Sequence, residues 1–230
     1  MKTICTSVHL VGDSAILDDA FTEEQQEAVQ NGTTKTKRGQ SMTNREMALK
    51  AAYFDKDGYV YAPGPWLIGT VKGTMHFCKI GKKSASWFTG SIRIPETPVY
   101  LMRNGKKIHI DECGVDTRAH NCHQGDKILK RIKHRLMIEL PWELDFKLNL
   151  VDDGSVTILN VQEFLEKAGY LQGIGSFRPQ HKGQFGCFHP TQIEVTSICD
   201  STNQCKIIGI DLPKVEEKKP ATRGKKKVAA

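Results

Sequence analysis

A glycine-rich segment at residues 171–188 holds the residue types best suited to binding chemistry. It contains four glycines, three basic side chains and three phenylalanines, in the order LQGIGSFRPQHKGQFGCF. Glycine allows positive φ and close approach of another backbone, so the N–H groups of such a loop can form a concave site for an anion. The residues that we predict to bind phosphate groups here are Gly173, Gly175, Gly183, Arg178, His181 and Lys182.

The familiar nucleotide-binding loops have a different pattern. The segment lacks the Gly-x-x-x-x-Gly-Lys-Ser/Thr sequence of phosphate-binding loops, and Gly173-x-Gly175 lacks the third glycine of the dinucleotide-binding motif. The loop also runs from a predicted helix to a predicted strand, whereas both motifs run from strand to helix. A nucleic-acid strand fits better, because the phenylalanines offer faces on which bases stack. A turn whose glycines are only structural is the alternative interpretation.

Two further basic segments extend this predicted interface. Single-strand binding sites combine a cationic groove with stacking aromatic side chains. The first segment mixes both types, and its predicted contacts are Lys79, Lys82, Lys83, Trp87 and Phe88. The second, residues 127–135, contains no acidic residue, and in a strand Arg131, Lys133 and Arg135 would share one face. This spacing predicts a cationic stripe.

The chain has 230 residues and a formal net charge of +7. This charge is concentrated at the C-terminal end. Residues 214–230 contain seven Lys or Arg and two Glu, with almost no large apolar side chain, a composition typical of a disordered tail with general affinity for phosphate. No apolar run approaches the roughly 20 residues of a membrane helix, and residues 1–7 lack the layout of a secretory signal. We therefore expect a cytoplasmic protein with no membrane partner.

Cysteine usage favours the same compartment. The seven cysteines are odd in number and irregularly spaced, which predicts free thiols in a reducing environment. Two cysteines and two histidines are close in sequence at residues 113–123, but no Cys-x-x-Cys pair is present. The sequence therefore predicts neither a metal site nor a cofactor.

Alternation and turn chemistry predict the elements that position these residues. Thr43, followed three residues later by Glu46, predicts a capped helix start. Helices are predicted at residues 44–53, 66–79 and 161–170. Strands are predicted at residues 3–11, 98–102, 107–110, 142–151 and 192–197. Residues 113–125 are predicted to form a polar loop.

The glycine-rich loop and its surroundings resemble a known family. The box Gly-Ile-Gly-x-Phe-Arg-Pro … Gly-x-Phe-Gly-x-Phe, here at residues 173–188, is similar to one in small phage and prophage proteins. Cys187 stands where that box usually has Arg, which removes one cation. An opening strand that ends near Gly12, two insertions, and a strand–helix pair before the loop resemble the RAMP superfamily. These are the repeat-associated proteins of CRISPR effector complexes, and the likeness is closest to their guide-wrapping backbone subunits.

This resemblance implies an α+β fold with an RRM-like, ferredoxin-like antiparallel sheet, helices on one face, inserted loops and a disordered basic C-terminal tail. We predict one such domain at residues 1–213, with insertions near 28–42 and 80–130, followed by the tail at 214–230. RAMP backbone subunits bind single-stranded RNA by its phosphates and stack side by side. The resemblance thus implies a non-catalytic binder of single-stranded RNA or DNA that forms homo-oligomers along the strand.

Two other functions stay open at this point. RAMP relatives include metal-independent ribonucleases, which need acid–base side chains around one phosphate. The candidate residues for that role are His9, His181 and His189. A phage assembly subunit, in which the glycine-rich loop packs against a neighbouring copy, is the second alternative. No Ser-His-Asp or Cys-His pattern with a defining spacing is present, so we predict that the protein is not an enzyme.

Overall fold

A period-two sequence forms the first strand, β1 (Lys2–Gly12), in which Thr6, Val8 and Leu10 are buried and the intervening side chains are exposed or half-buried. This computed structural model describes residues 2–20, 30–31, 42–74, 77, 87, 90–94, 98–124, 127–152, 157–200 and 205–206. The described α-helices and strands after β1 are, in chain order, β2 (Ile16–Asp18), α1 (Asn44–Lys50), β3 (Tyr61–Ala62), α2 (Gly64–Gly73), β4 (Ile92–Arg93), β5 (Val99–Arg103), β6 (Lys106–Lys107), β7 (Gly114–Gln124), β8 (Lys127–Ile138), β9 (Glu143–Asp152), α3 (Ile158–Lys167), β10 (Phe188–Asp200) and β11 (Cys205–Lys206).

A βαββαβ core is formed by β1, α2, β5, β9, α3 and β10. In its sheet β1 and β9 pair at the centre, β10 lies beside β1, β5 lies beside β9, and all three pairs are antiparallel. This is the ferredoxin-like arrangement, so the predicted α+β fold class is confirmed. Both core helices bury side chains against the sheet, namely Leu67, Val71, Val161, Phe164 and Leu165.

A long antiparallel hairpin, formed by β7 and β8, stands apart from the main sheet, and β2 pairs with β8 near the base of the hairpin. The predicted polar loop at residues 113–125 is therefore wrong for residues 114–124, which pair with β8 along their whole length. The predicted insertion near 80–130 is also too long, because it contains β5, a strand of the core. Backbone pairing to a neighbouring strand does not require apolar alternation, and this explains the missed strand.

Local signals located the helix start and the tight turn correctly. Thr43 caps α1 through reciprocal hydrogen bonds with Glu46, although the helix ends at Lys50 instead of residue 53. Asn104 and Gly105, with φ of 51° and 74°, connect β5 to β6 as the hairpin signal predicts. The second helix is shorter than predicted, since α2 ends at Gly73 instead of residue 79.

The cysteines depart from the prediction at one position. Cys5, Cys113 and Cys187 are free thiols, whereas Cys199 is disulfide-bonded, so the prediction of free thiols throughout is wrong. No group of three or more His, Cys, Asp or Glu side chains within the described ranges could hold a metal ion. No helix in the described part of the chain is both long and apolar enough to cross a membrane. The predicted tail at 214–230 and most of the predicted insertion at 28–42 lie outside the described residues.

Candidate functional site

The glycine-rich loop at residues 173–187 connects a π-helical turn, Ala168–Gln172, to β10. Its course depends on contacts that a side chain would prevent. A Cβ at Gly186, where φ is +69°, would lie 1.8 Å from the carbonyl oxygen of Ile174. A Cβ at Gly183 would lie 1.6 Å from the carbonyl oxygen of Phe177. The glycines therefore let the loop fold back on itself with its backbone segments in direct contact.

Most backbone N–H groups of this loop donate within the protein. The N–H of Gly173 donates to the carbonyl of Ala168 at 2.9 Å, and that of Gly183 donates to the carbonyl of Arg178 at 3.1 Å. The same holds for the N–H groups of Ile174, Ser176, His181, Lys182, Phe185, Gly186 and Cys187. The prediction that Gly173 and Gly183 offer their N–H groups to an anion is therefore wrong, because closing the turn already uses these donors.

Two phenylalanines of the loop contact arginines of the β7–β8 hairpin. The guanidinium carbon of Arg118 lies 5.3 Å from the ring centroid of Phe177 and 4.7 Å from that of Phe185. Arg135 lies 4.7 Å from the ring centroid of Phe177. The hydrogen bond from Arg118 to the Asp116 carboxylate, 2.7 Å from Nε, raises the pKa of Arg118. These cation–π contacts hold the loop against the hairpin, so the two rings contribute to the fold.

Asp19 is shared by two of the predicted cations. Its Oδ2 accepts a hydrogen bond from Lys133 Nζ at 2.9 Å and from Arg135 Nε at 3.0 Å. Arg131, Lys133 and Arg135 occupy alternate positions of β8 and so share one face, although Arg131 is described only by its backbone. Only 3% of the Arg135 side chain is exposed, against 38% for Lys133. Arg135 therefore stabilises the fold and does not line an open groove.

A cavity of about 290 Å³ lies between the glycine-rich loop, α2 and Asp19. The described residues that line it are Asp19, Pro65, Trp66, Gly69, Gly175, Ser176, Arg178 and His181. The structure thus brings together three of the predicted phosphate contacts, Gly175, Arg178 and His181. Lys182 follows them at the end of the short 3₁₀ turn Pro179–His181, and its side chain is exposed.

The guanidinium group of Arg178 is half-buried without a counter-ion. Its Nε is covered and has no hydrogen-bond partner, and no ion pair joins the side chain to any other residue in the described ranges. Desolvation by this burial lowers the pKa of Arg178. Asp19, the single carboxylate among the described lining residues, is already shared by Lys133 and Arg135. Three cations face one carboxylate at this site, so its electrostatics favour an anion.

An aromatic row, which the sequence reasoning did not detect, leads away from the cavity. Trp66, in the cavity wall, meets Tyr53 edge-on with ring centroids 5.4 Å apart. The row continues from Tyr53 to Tyr61 and Tyr100, with centroid separations of 5.9 Å and 6.4 Å. It ends at Lys107, whose Nζ lies 3.4 Å from the ring centroid of Tyr100. Because these residues come from separate segments, no local spacing in the sequence marks the row.

The strands β1, β9 and β10 of the main sheet present no exposed aromatic side chain among their described residues. In β1, β9 and β10 the Phe, Tyr and Trp side chains are limited to Phe146 and Phe188, and both are buried. Exposed positions of these strands carry polar groups such as Ser7, Asp145 and Lys147. Half-buried aromatic side chains occur instead at the edge of this sheet, at Tyr61 on β3 and Tyr100 on β5, where Lys107 lies over the Tyr100 ring.

The predicted aromatic and basic segment at residues 79–88 is described only at Trp87. That side chain is half-buried and packs against the core, and its carbonyl accepts a hydrogen bond from Ser91. The other predicted contacts of this segment, Lys79, Lys82, Lys83 and Phe88, lie outside the described residues.

The three candidate histidines of a ribonuclease have different surroundings. His9 Nδ1 lies 2.6 Å from the Asp145 carboxylate, and His189 Nδ1 lies 2.8 Å from the Asp13 carboxylate. Both pairs are on strands of the main sheet or at their ends, whereas His181 lines the cavity. The cavity thus holds one of the three histidines, without a second acid–base histidine beside it in the described lining.

The chain matches no protein-family model and no curated protein. The resemblance to the RAMP superfamily therefore stays a prediction. Since a ferredoxin-like fold hosts many unrelated functions, the function has to be argued from the cavity and its charges.

Proposed function

We propose that this protein binds single-stranded nucleic acid, RNA or DNA, without cleaving it. The observation that carries the proposal is the half-buried Arg178 guanidinium, which lies in a cavity wall and has no counter-ion among the described residues. The Nε of this guanidinium has lost water without gaining a hydrogen-bond partner, which raises the free energy of the empty site. A phosphate oxygen would supply the missing charge-assisted hydrogen bond, and the guanidinium fork matches phosphate geometry.

The neighbours of Arg178 support a phosphate as the bound group. His181 and Lys182 belong to the same short turn, and both are exposed. Asp19 does not offset these cations, because its carboxylate already binds Lys133 and Arg135. The site therefore has more cationic side chains than carboxylates among its described residues, although most of the loop N–H groups donate within the fold.

The aromatic row favours a nucleic-acid strand over a free phosphate ion. Base stacking on aromatic side chains is tolerant of sequence and suits single strands, whose bases are not paired. Trp66 is half-buried and lines the cavity, and Tyr53 meets it edge-on. The RAMP resemblance further implies that several copies bind side by side on one strand, as homo-oligomers.

A salt titration with a long labelled oligonucleotide tests the proposal. Uridine and thymidine oligomers should both bind, with an affinity that falls steeply as salt rises, because phosphate contacts release counter-ions. The double variant Arg178→Ala, Lys182→Ala should bind more weakly and lower the slope of log K against log salt by about one per lost phosphate contact. Labelled RNA incubated with the protein in EDTA should stay intact.

The matched control is Lys2→Ala, Lys147→Ala, which removes the same charge from β1 and β9 of the main sheet. For this control, the slope of log K against log salt should equal that of the wild type, apart from the general effect of its lower net charge. Circular dichroism and thermal unfolding establish that both double variants are folded. A folded Arg178→Ala, Lys182→Ala variant with the affinity and slope of the control would contradict the proposal, and RNA cleavage would contradict its non-catalytic part.

A further inference from the structure

The cavity beside Arg178 has the size and the wall chemistry for one unit of the bound strand. Its volume of about 290 Å³ is just below the range of roughly 300–1,000 Å³ in which small-molecule sites occur. One part of the wall carries the guanidinium of Arg178 and the imidazole of His181, and another is aromatic, at Trp66. We infer that this cavity binds a single nucleotide of the strand, with its phosphate at Arg178 and His181 and its base against Trp66. This inference rests on the proposed function and adds a defined pocket to it.

The phosphate end of the pocket takes its positive charge from Arg178, whose Nε has no hydrogen-bond partner and which forms no ion pair among the described residues. The first turn of α2 adds little to this charge, because Pro65 has no N–H and the N–H of Trp66 donates to the carbonyl of Pro63 at 2.9 Å. Gly175 also lines the wall, where it packs closely on β2: a Cβ there would lie 2.7 Å from the carbonyl oxygen of Leu17.

The base end of the pocket is held in place by the core. Tyr53 meets Trp66 edge-on at 5.4 Å, with an angle of 90° between the ring planes. The backbone N–H of Tyr53 donates to the buried Asp18 carboxyl at 2.6 Å, which fixes the segment that positions this ring. A flat apolar surface held rigidly beside a cation accepts a base without further ordering of the protein, and this reduces the entropic cost of binding.

Gly69 provides a way to fill the pocket without disturbing the fold. It lines the cavity within α2, and a Cβ built there would have no atom within 4 Å. Helical side chains lean toward the N-terminus of their helix, so a leucine at this position would project toward Pro65 and Trp66. Replacing a helical glycine also favours the helix, so Gly69→Leu should fold at least as stably as the wild type.

The experiment compares the full-length wild type with Gly69→Leu on a labelled uridine oligonucleotide, with uridine monophosphate and inorganic phosphate as competitors. We expect Gly69→Leu to bind about tenfold more weakly, as expected for one lost base stack, with the salt slope unchanged because the cations are intact. Uridine monophosphate should compete for the wild type better than inorganic phosphate does. The control Gln162→Leu, which places a leucine on α3, should bind like the wild type.

Each result distinguishes the pocket from the general function. If Gly69→Leu binds the oligonucleotide as tightly as the wild type, the nucleotide pocket is wrong while single-strand binding stands. Equal competition by uridine monophosphate and inorganic phosphate would overturn the base-binding half of the inference. If the wild type does not bind oligonucleotides at all, the proposed function fails and the pocket inference fails with it.

Discussion

Asp18 and Asp19 are neighbours in the sequence, and their carboxyl groups serve opposite sides of the same chain segment. Burial raises the pKa of Asp18 to about 8, and its Oδ2 accepts the backbone N–H of Tyr53. Asp19 faces the cavity and accepts hydrogen bonds from Lys133 and Arg135. Two adjacent residues therefore have different roles: Asp18 holds the segment of Tyr53, which belongs to the aromatic row, and Asp19 binds the β7–β8 hairpin.

The raised pKa of Asp18 predicts how stability depends on pH. Folding raises the pKa of this carboxyl from 3.8 to about 8, so the folded state holds the proton more tightly than the unfolded state. Its contribution to the free energy of unfolding is fully present below pH 3.8 and is lost as the pH rises through about 8. In Asp18→Asn, which cannot titrate, the decline of stability over this interval should be shallower than in the wild type.

Urea unfolding of both proteins across that pH interval measures the difference. Asp57→Asn, the same chemical change at an exposed turn, is the control for the substitution itself. Parallel pH profiles for the wild type and Asp18→Asn would show that the buried carboxyl does not titrate in this way.

Removing the Asp19 carboxylate should destabilise the protein through Arg135. Asp19→Asn leaves the charge of Arg135, whose side chain is 3% exposed, without its carboxylate. Breaking a buried ion pair from one side costs about 3 kcal/mol, because the remaining charge stays desolvated. Urea unfolding at neutral pH gives the loss, and high salt should change it little, since a buried pair is poorly screened.

A second variant separates this mechanism from a loss of shape. Adding Arg135→Met to Asp19→Asn removes the orphaned charge and should recover much of the lost stability. If the free energy of unfolding of the double variant is instead lower than that of Asp19→Asn alone, Arg135 stabilises the protein mainly through the packing of its side chain.

Two glycines should respond to alanine in opposite directions. Gly186→Ala places a Cβ 1.8 Å from the carbonyl oxygen of Ile174 at a φ of +69°, so it should cost more than about 2 kcal/mol. Gly69→Ala adds a methyl group in open space within α2 and should stabilise the protein by up to about 1 kcal/mol. Chemical denaturation of the two variants beside the wild type measures both changes, and a Gly186→Ala protein as stable as the wild type would refute the close approach.

The contact between Arg118 and Phe185 should appear as a coupling energy. The guanidinium carbon lies 4.7 Å from the ring centroid, which predicts a coupling of about 1 kcal/mol in a double-mutant cycle to alanine. The loss of the Asp116 hydrogen bond occurs in both variants that lack Arg118, so it cancels from the cycle. A parallel cycle between Arg118 and Tyr61, which belong to separate clusters, should be additive within about 0.5 kcal/mol.

Features that depend on neighbouring residues were predictable from the sequence. The capping box of Thr43 and Glu46 and the turn at Asn104 and Gly105 are formed by residues within three positions of each other. Apolar and polar residues alternate with period two at residues 142–151, and this pattern predicts the strand β9. Periodicity and turn chemistry act locally, so they are visible before the fold is known.

Features that depend on a partner strand were not predictable in this way. The sequence of β7 is polar and favours a loop, yet this strand pairs with β8 from Gly114 to Gln124. This pairing is made by hydrogen bonds between backbone groups, which nearly every residue type has. The amino-acid sequence therefore shows no pattern that predicts it. The same limit explains why the alternation of basic residues along β8 does not indicate that Arg135 is buried.

The sequence by itself determined the inventory of the candidate site: glycines at positions 173–186, cations at 178–182, and an alternating basic strand. Tertiary structure decided how that inventory is used. It turned most of the loop amides inward, set Phe177 and Phe185 against Arg118, and brought Asp19 to Arg135, whereas Arg178 has no counter-ion among the described residues. The physical reason is distance along the chain, because Asp19 and Arg135 are 116 positions apart and no local pattern encodes which charges meet.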